Sequence, residues 1–221
     1  GTGYSNGAAS GFRPWWQTDV GVKQQEAIYQ ATKRNVTWNY AGPFAGVPIY
    51  WDNPYWQAYE NYENDTRNRF LGYATMSYKL FDWLDAFGRV SVDTYDEFQE
   101  DRKAIGSVAN RFGIGTDRVD GSIGRIDVGS GYTRKDIRST ENNYDLFLNY
   151  NVDITDKLNL TGLVGGSIRR TYFNSIFAAT NGGIVVPRLY ALQNTVSPLP
   201  NPIERDERIG VNSLFANASF G

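Results

Sequence analysis

Long stretches in which an apolar side alternates with a side that carries the charged residues constrain this chain more than any other feature. The alternation has a period of two, which predicts β-strands rather than helices. The predicted strands cover residues 69–80, 84–95, 142–152, 158–172 and 211–220. Most have roughly 10 to 12 residues, against about 5 or 6 in soluble sheets and about 9 to 11 in a tilted membrane crossing. Their length therefore favours strands that span a bilayer.

Charged side chains fall on one side only of these alternating stretches. The apolar side, which we expect to face lipid, includes Met76, Leu146, Leu148, Leu160 and Val164. The opposite side, which we expect to face the interior of a barrel, includes Arg69, Tyr73, Lys79, Arg89, Asp93 and Arg169. A charge that faces lipid at mid-depth costs about 2 to 4 kcal/mol, so a bilayer selects this segregation.

The connections between the predicted strands alternate in length. Residues 81–83 and 153–157 form short turns, whereas residues 96–141 and 173–210 form long loops. Short turns on one side and long loops on the other are typical of transmembrane β-barrels. We therefore predict an all-β fold in which residues 69–221 are membrane-spanning hairpins. Residues 1–68 are predicted to be an extracellular loop region with a short helix near 23–33.

Five strands are too few to close such a barrel, because the smallest known examples have eight. An open edge in lipid would leave backbone groups unpaired. We therefore expect the sequence to be an internal fragment of a larger barrel. Its first residues lack the basic and apolar regions of a signal peptide, and it contains no run of 18 apolar residues that would predict a transmembrane helix.

The composition excludes most catalytic chemistry within these residues. The chain contains no cysteine and no histidine, which removes thiol nucleophiles, histidine triads and histidine-ligated metals. Its 22 basic and 24 acidic residues give no strong field toward nucleic acid. The acidic stretch 93–101 lacks the glycine and spacing of a known calcium loop, so we interpret it as a solvated strand end. We predict no enzyme activity, no cofactor and no metal.

Two tryptophan-rich motifs lie in the predicted loops. Their residues that could contact a cargo or a lid protein are Trp15, Trp16, Trp51, Asn53, Tyr55 and Trp56. Aromatic rings beside polar side chains can stack on sugars or anchor a protein partner. The alternative is that these rings pack the loops against the mouth of the barrel or against a plug.

The second motif, Trp51-Asp52-Asn53-Pro54-Tyr55-Trp56, resembles the NNPYW signature of the SusC/RagA family of TonB-dependent transporters of Bacteroidetes. Further strings resemble the same family in the same order, namely residues 65–70, 82–84, 88–90, 165–170, 179–187, 189–190 and 208–215. The resemblance extends from about Phe12 to the last residue. Each string is modestly specific, whereas their order and spacing together are strongly indicative.

The resemblance implies a barrel of 22 strands in the bacterial outer membrane, filled by an N-terminal plug. Such a transporter works with a SusD-like surface lipoprotein that closes over it as a lid. It imports oligosaccharides or peptides and is energised by the inner-membrane TonB–ExbB–ExbD complex, which contacts the plug region. We expect the plug and the TonB box to lie outside this sequence.

Three functions remain open from the sequence. The first is TonB-dependent import of a glycan or peptide cargo together with a SusD-like lipoprotein. The second is a structural role, in which a SusC-like barrel docks other subunits of a larger outer-membrane complex. The third is a soluble carbohydrate-binding β-domain, which would need no detergent for extraction. Co-purification separates the first two, because a transporter brings one lid protein and binds cargo.

Overall fold

The protein is described here by a computed structural model that covers residues 17, 19–40, 42, 44–117, 123–124 and 127–221. The chain divides into two compact units. The first, called the sheet unit, contains residues 67–97, 136–175 and 204–221. The second, called the loop unit, contains residues 1–66, 98–135 and 176–203.

Five long strands form one antiparallel sheet, which confirms the predicted all-β class. The strands in chain order are β1 (Tyr62–Phe81), β2 (Leu84–Lys103), β3 (Asn110–Arg111), β4 (Thr116–Asp117), β5 (Ile123–Gly124), β6 (Asp127–Val128), β7 (Gly131–Thr155), β8 (Leu158–Ala179) and β9 (Ile203–Phe220). The long strands lie in the order β1-β2-β7-β8-β9, so each pairs with its neighbour along the sequence. The short strands form two small ribbons, β3 with β6 and β4 with β5.

The long strands extend well past the predicted bounds at the ends away from the short turns. β2 ends at Lys103 rather than at residue 95, and β7 begins at Gly131 rather than at residue 142. The predicted loops 96–141 and 173–210 and the predicted loop region 1–68 therefore contain strand. For β2 and β7 the prediction stopped too early because residues 96–103 and 131–141 are mostly polar or charged on both faces, so the alternation disappears. The backbone hydrogen bonds of a ladder do not require that alternation.

Close packing over a glycine links three strands of the sheet unit. The Tyr150 hydroxyl in β7 crosses β8 and donates a 3.0 Å hydrogen bond to the Asn217 carbonyl in β9. A Cβ atom on Gly162 would lie 2.1 Å from that carbonyl oxygen and 2.5 Å from the Tyr150 hydroxyl. Glycine is needed here because the ring of Tyr150 occupies the space above the β8 backbone.

The loop unit contains two short helices that pack against each other. They are α1 (Val22–Thr32), which matches the predicted helix to within a residue, and α2 (Pro54–Glu60). The rings of Tyr29 in α1 and Tyr59 in α2 stack with centroids 5.6 Å apart. Neither of these helices is long or apolar enough to cross a membrane, and the described residues contain no helix that is.

We predict that Gly162→Ala destabilises the sheet unit by about 1 to 3 kcal/mol, because the added methyl group must displace Tyr150 or the β9 backbone. The measurement is the thermal unfolding midpoint of the full-length protein in detergent. Gly46→Ala is the matched control, since nothing lies within 4 Å of a Cβ atom built there. Equal midpoints for the two variants would contradict the packing described above.

Candidate functional site

One face of the sheet unit carries a row of cross-strand ion pairs. Arg89 in β2 lies 2.7 Å from the Asp145 carboxylate in β7, which also accepts a 2.6 Å hydrogen bond from Ser167 in β8. Nearer the sheet edge, Arg69 in β1 donates to Asp93 in β2 at 2.7 Å. Three residues predicted to face a barrel interior therefore lie in one polar row. Its charges are paired between strands, so the row is a structured polar wall.

The remaining residues predicted to face the interior do not join this row. Lys79 pairs with Asp82 in the short turn at 2.8 Å. Tyr73 and Arg169 are exposed on their strands. The structure thus pairs Arg69 with Asp93 and gives Arg89 a partner that was not predicted, Asp145, whereas the other three residues lie apart from the row.

An aromatic row crosses the same face, and sequence reasoning missed it. The ring centroids of Phe87 and Phe147 are 5.8 Å apart, and those of Phe147 and Phe215 are 5.1 Å apart. Gly165 in β8 lies between the last two, because a Cβ atom there would come within 3.0 Å of both rings. The sequence contained a signal for this row. Phe87, Phe147 and Phe215 lie on the side of the charged residues in β2, β7 and β9, and Gly165 lies on the same side of β8.

The opposite face of the sheet unit is apolar and open. Its side chains include Met76, which is 71% exposed, and Leu146, which is 59% exposed. Together with Leu148, Val164 and small residues they line a shallow groove of about 980 Å³. Leu160 is half-buried on the strand that carries Val164. An apolar surface of this extent marks contact with lipid or with another protein.

The acidic stretch at the end of β2 is neutralised by arginines. Asp96 accepts a hydrogen bond from Arg138 at 2.6 Å, and Glu97 accepts one from Arg67 at 2.7 Å. The next acid, Glu100, pairs with Arg102. Within the described part of the chain, no group of three or more acidic residues could hold a metal ion.

The tryptophan-rich motif at residues 51–56 lies largely inside the loop unit. The Asn53 side chain, which is fully buried, donates to the carbonyls of Gln25 and Val36 at 3.0 and 2.8 Å. Its oxygen accepts from the backbone N–H of Tyr55 at 2.8 Å and so caps α2. The indole of Trp56 is buried and donates to the Ser107 hydroxyl at 2.9 Å.

These contacts correct part of the predicted cargo or lid surface. Asn53 and Trp56 are buried, so they are not accessible to a partner protein or a cargo. Their polar groups instead form hydrogen bonds with distant segments of the loop unit. Trp51 and Tyr55 are half-buried and keep an accessible side. Trp15 and Trp16 lie outside the described residues.

Two buried charges accompany the motif in the loop unit. Burial raises the pKa of Asp52 above its ordinary value, although its carboxylate accepts hydrogen bonds from Asn35 and from the backbone of Val108. Burial also lowers the pKa of Lys103 to about 8. The Lys103 ammonium donates to the Val128 carbonyl at 2.7 Å, so it holds β6 against the end of β2. Both groups bind loop backbone, which indicates a structural role.

We predict that Asn53→Ala destabilises the loop unit by about 2 to 4 kcal/mol. The change removes a helix cap and the two hydrogen bonds that the Asn53 amide donates to the Gln25 and Val36 carbonyls. Limited proteolysis of the natively folded full-length protein measures local opening of this unit. Asn201→Ala, at an exposed position, should leave the cleavage rate unchanged. Cleavage as slow as in the unmodified protein would show that the motif does not hold the loops.

Lys103 gives the loop unit a pH dependence that can be tested. Its pKa is about 8 in the folded protein and 10.5 when unperturbed, so the unfolded chain binds more protons between these values. Stability should therefore rise with pH across this window. Lys103→Met should abolish this component, whereas Lys23→Met, at an exposed lysine of the same unit, should keep it. The check is the protease resistance of each variant at pH 7.5 and pH 10, and an identical pH response in all three proteins would refute the assignment.

Comparison with known proteins adds a fold likeness to this geometry. No family model and no curated protein matches the sequence. Among solved structures, the chain is similar to part of a chain in the "Structure of the RagAB peptide transporter", with a TM-score of 0.64 and 15% identity. Structures of the RagAB peptide importer in its "closed-closed" and "open-open" states match with TM-scores of 0.63 and 0.61, each at 15% identity.

The matches cover most of this chain but little of the larger protein. They include 86%, 85% and 86% of this chain and 19% of the matched chain in each case. The chain therefore has the fold of about one-fifth of a transporter chain. At 15% identity the likeness concerns the fold, and the titles of the matched structures describe a peptide transporter or importer.

Proposed function

We propose that this chain is a segment of an outer-membrane β-barrel transporter that imports peptides or oligosaccharides. The observation that carries the proposal is the two-faced sheet unit, with paired charges on one face and an open apolar surface on the other. The fold likeness to a peptide transporter supports the same function. In this proposal the protein binds its cargo and passes it through a gated lumen, without covalent chemistry.

The apolar band has the height that a bilayer requires. In β8 the apolar face runs from Leu158 to Ile168 without a charge, which is ten residue steps of about 3.3 Å, or about 33 Å along the strand. A strand tilted by about 40° converts this length into a height of about 25 Å, the usual apolar band of an outer-membrane barrel. The band therefore fits the hydrocarbon core.

The two outer strands of the sheet support the presence of further strands. Among the described residues, β1 pairs only with β2, and β9 pairs only with β8. In lipid, the unpaired backbone groups of such edges would cost several kcal/mol each. We infer that other parts of the protein pair with both edges and complete a barrel of about 22 strands. A plug would fill its interior against the row of ion pairs.

TonB-dependent import with a SusD-like lipoprotein partner is the specific mechanism that we propose. The TonB complex would act on the plug, and the lipoprotein would cover the loop side of the barrel. The half-buried Trp51 and Tyr55 are the described motif residues with a side accessible to a lid or a cargo. The aromatic row and the ion pairs would line the wall that the cargo or the plug meets.

Orientation in the membrane can be tested with adjacent residues of β7. Leu148 lies on the apolar face and Asn149 on the opposite face. Leu148→Arg should reduce stable insertion of the full-length protein into lipid vesicles by about 2 to 4 kcal/mol, because it places a charge against hydrocarbon. Asn149→Arg, the matched control, should insert normally. The readout is the folded fraction in vesicles. Equal insertion of both variants would contradict our assignment of the faces, and impaired insertion of Asn149→Arg alone would reverse it.

Uptake by cells tests the transport function itself. We expect deletion of the full-length gene to abolish growth on a peptide or an oligosaccharide that is too large for porins. Loss of TonB should have the same effect. The purified protein should bring one surface lipoprotein with it. Growth unaffected by either deletion, together with co-purification of several unrelated subunits, would instead indicate a structural role in a larger complex.

A further inference from the structure

The loop between β8 and β9 contains the dipeptide Asn181-Gly182. Asparagine followed by glycine is chemically labile, because the glycine nitrogen is unhindered by a side chain and can attack the side-chain amide carbon of the asparagine. Replacing either residue would remove this lability. In the loop unit, however, separate contacts require the asparagine and the glycine.

The backbone at residue 182 requires glycine. Gly182 has a φ of +72°, in the left-handed region that residues with a side chain rarely adopt. A Cβ atom there would also lie 3.1 Å from the Ser197 hydroxyl oxygen and 3.5 Å from the Cβ atom of Val196. Any larger residue at this position would therefore be both strained and crowded.

The side chain at residue 181 requires an amide. The Asn181 Nδ2 donates a 3.0 Å hydrogen bond to the carbonyl of Pro198, which joins the start of the loop to its end. An ionised aspartate of the same shape has no hydrogen to donate, so two oxygen atoms would face each other. The two residues of a labile dipeptide therefore stand side by side for structural reasons.

Hydrogen bonds hold the backbone of Asn181 in a conformation that opposes the reaction. Asn181 forms an antiparallel bridge with Ser197, whose N–H donates to the Asn181 carbonyl at 3.0 Å. The Asn181 N–H donates to the Thr195 hydroxyl at 2.9 Å. A bridge of this kind uses extended backbone, which directs the Gly182 nitrogen away from the side chain of Asn181. Ring closure requires rotation about the Cα–C bond of Asn181, which would break the hydrogen bond from Ser197.

We propose that Asn181 is a site of spontaneous deamidation and that the bridge to Ser197 holds the reaction back. When the bridge opens, the Gly182 nitrogen attacks the side-chain carbonyl carbon of Asn181. A carbon–nitrogen bond forms, the bond to Nδ2 breaks, and the glycine N–H proton leaves with that nitrogen as ammonia. Water then adds to either carbonyl of the cyclic imide and opens it to aspartate or isoaspartate.

The product makes the opening of the loop irreversible. A carboxylate at residue 181 cannot donate to the Pro198 carbonyl, and isoaspartate also lengthens the backbone by one atom, so the bridge does not form again. Deamidation therefore marks the copies of the protein in which this loop has opened. The reaction takes place in the loop unit and is independent of the proposed transport function.

The test is peptide mapping by tandem mass spectrometry of the natively folded full-length protein after incubation in mildly alkaline buffer. Trypsin releases residues 171–188 as one fragment, because Arg170 and Arg188 bound a stretch without lysine or arginine. A synthetic peptide of the same residues is incubated in parallel. Deamidation of Asn181 should be at least about tenfold slower in the protein, because it requires local opening of the loop.

Thr195→Val removes the hydroxyl that accepts from the Asn181 N–H. It should accelerate deamidation of Asn181 in the full-length protein about fivefold, the effect of losing one hydrogen bond from the closed loop. Thr66→Val is the matched control, because Thr66 is an exposed threonine of the same unit. It should leave the rate unchanged.

Asn181→Asp imitates one product of the reaction. Limited proteolysis of the natively folded variant should cleave the loop between β8 and β9 about fivefold faster than in the unmodified protein, because the hydrogen bond to Pro198 is lost. Asn201→Asp introduces the same charge at an exposed position and should not change the cleavage rate.

Deamidation of Asn181 as fast in the native protein as in the free peptide would overturn protection by the bridge. A free peptide that stays unmodified at Asn181 would overturn the site itself. Equal rates for Thr195→Val and Thr66→Val would show that the hydroxyl does not hold the bridge closed. If Thr195→Val does not fold, the comparison of native protein with peptide decides. Failure of the uptake experiment would leave this site intact, since none of these measurements involves transport.

Discussion

In the membrane orientation that we propose, the cost of placing a charge against hydrocarbon explains why the sheet unit keeps its charged residues on one face. A strand in a sheet presents successive side chains to opposite faces, so one face is free of charge only if every second residue is uncharged. The chain follows this rule in the stretches of β1, β2, β7, β8 and β9 that we assign to the membrane. The charged residues lie on the other face. There the Asp145 carboxylate in β7 pairs with Arg89 in β2 and accepts a hydrogen bond from Ser167 in β8.

Two glycines of β8 allow aromatic side chains of the neighbouring strands to pack directly against the β8 backbone. Gly165 lets Phe147 and Phe215 meet across β8, and Gly162 admits the Tyr150 hydroxyl to the β9 backbone. One glycine serves each face of the same strand. The sheet is thereby held by side-chain contacts that span three strands in addition to its backbone ladder.

Polar contacts have a large part in holding the loop unit together. Among its described residues, one buried apolar cluster consists of Tyr29, Trp56 and Ala104. Buried asparagines instead connect loops that are far apart in sequence, and Asn53 alone reaches α1, α2 and residue 36. Because a buried amide is costly unless it is paired, such a network favours one loop arrangement over others.

The sequence by itself determined the strand class, the order of short turns and the two faces of the sheet, because these depend only on local alternation. It also marked residues 51–56 as a distinctive motif. Tertiary structure decided the rest. One example is the choice of ion-pair partners. Arg89 and Asp145 are 56 positions apart in the sequence, and they pair because of the register between β2 and β7, which the alternation does not specify. The burial of Asn53 and Trp56 likewise depends on loops that meet only in three dimensions, so these two residues of a motif that suggested a binding surface are internal supports of the loop unit.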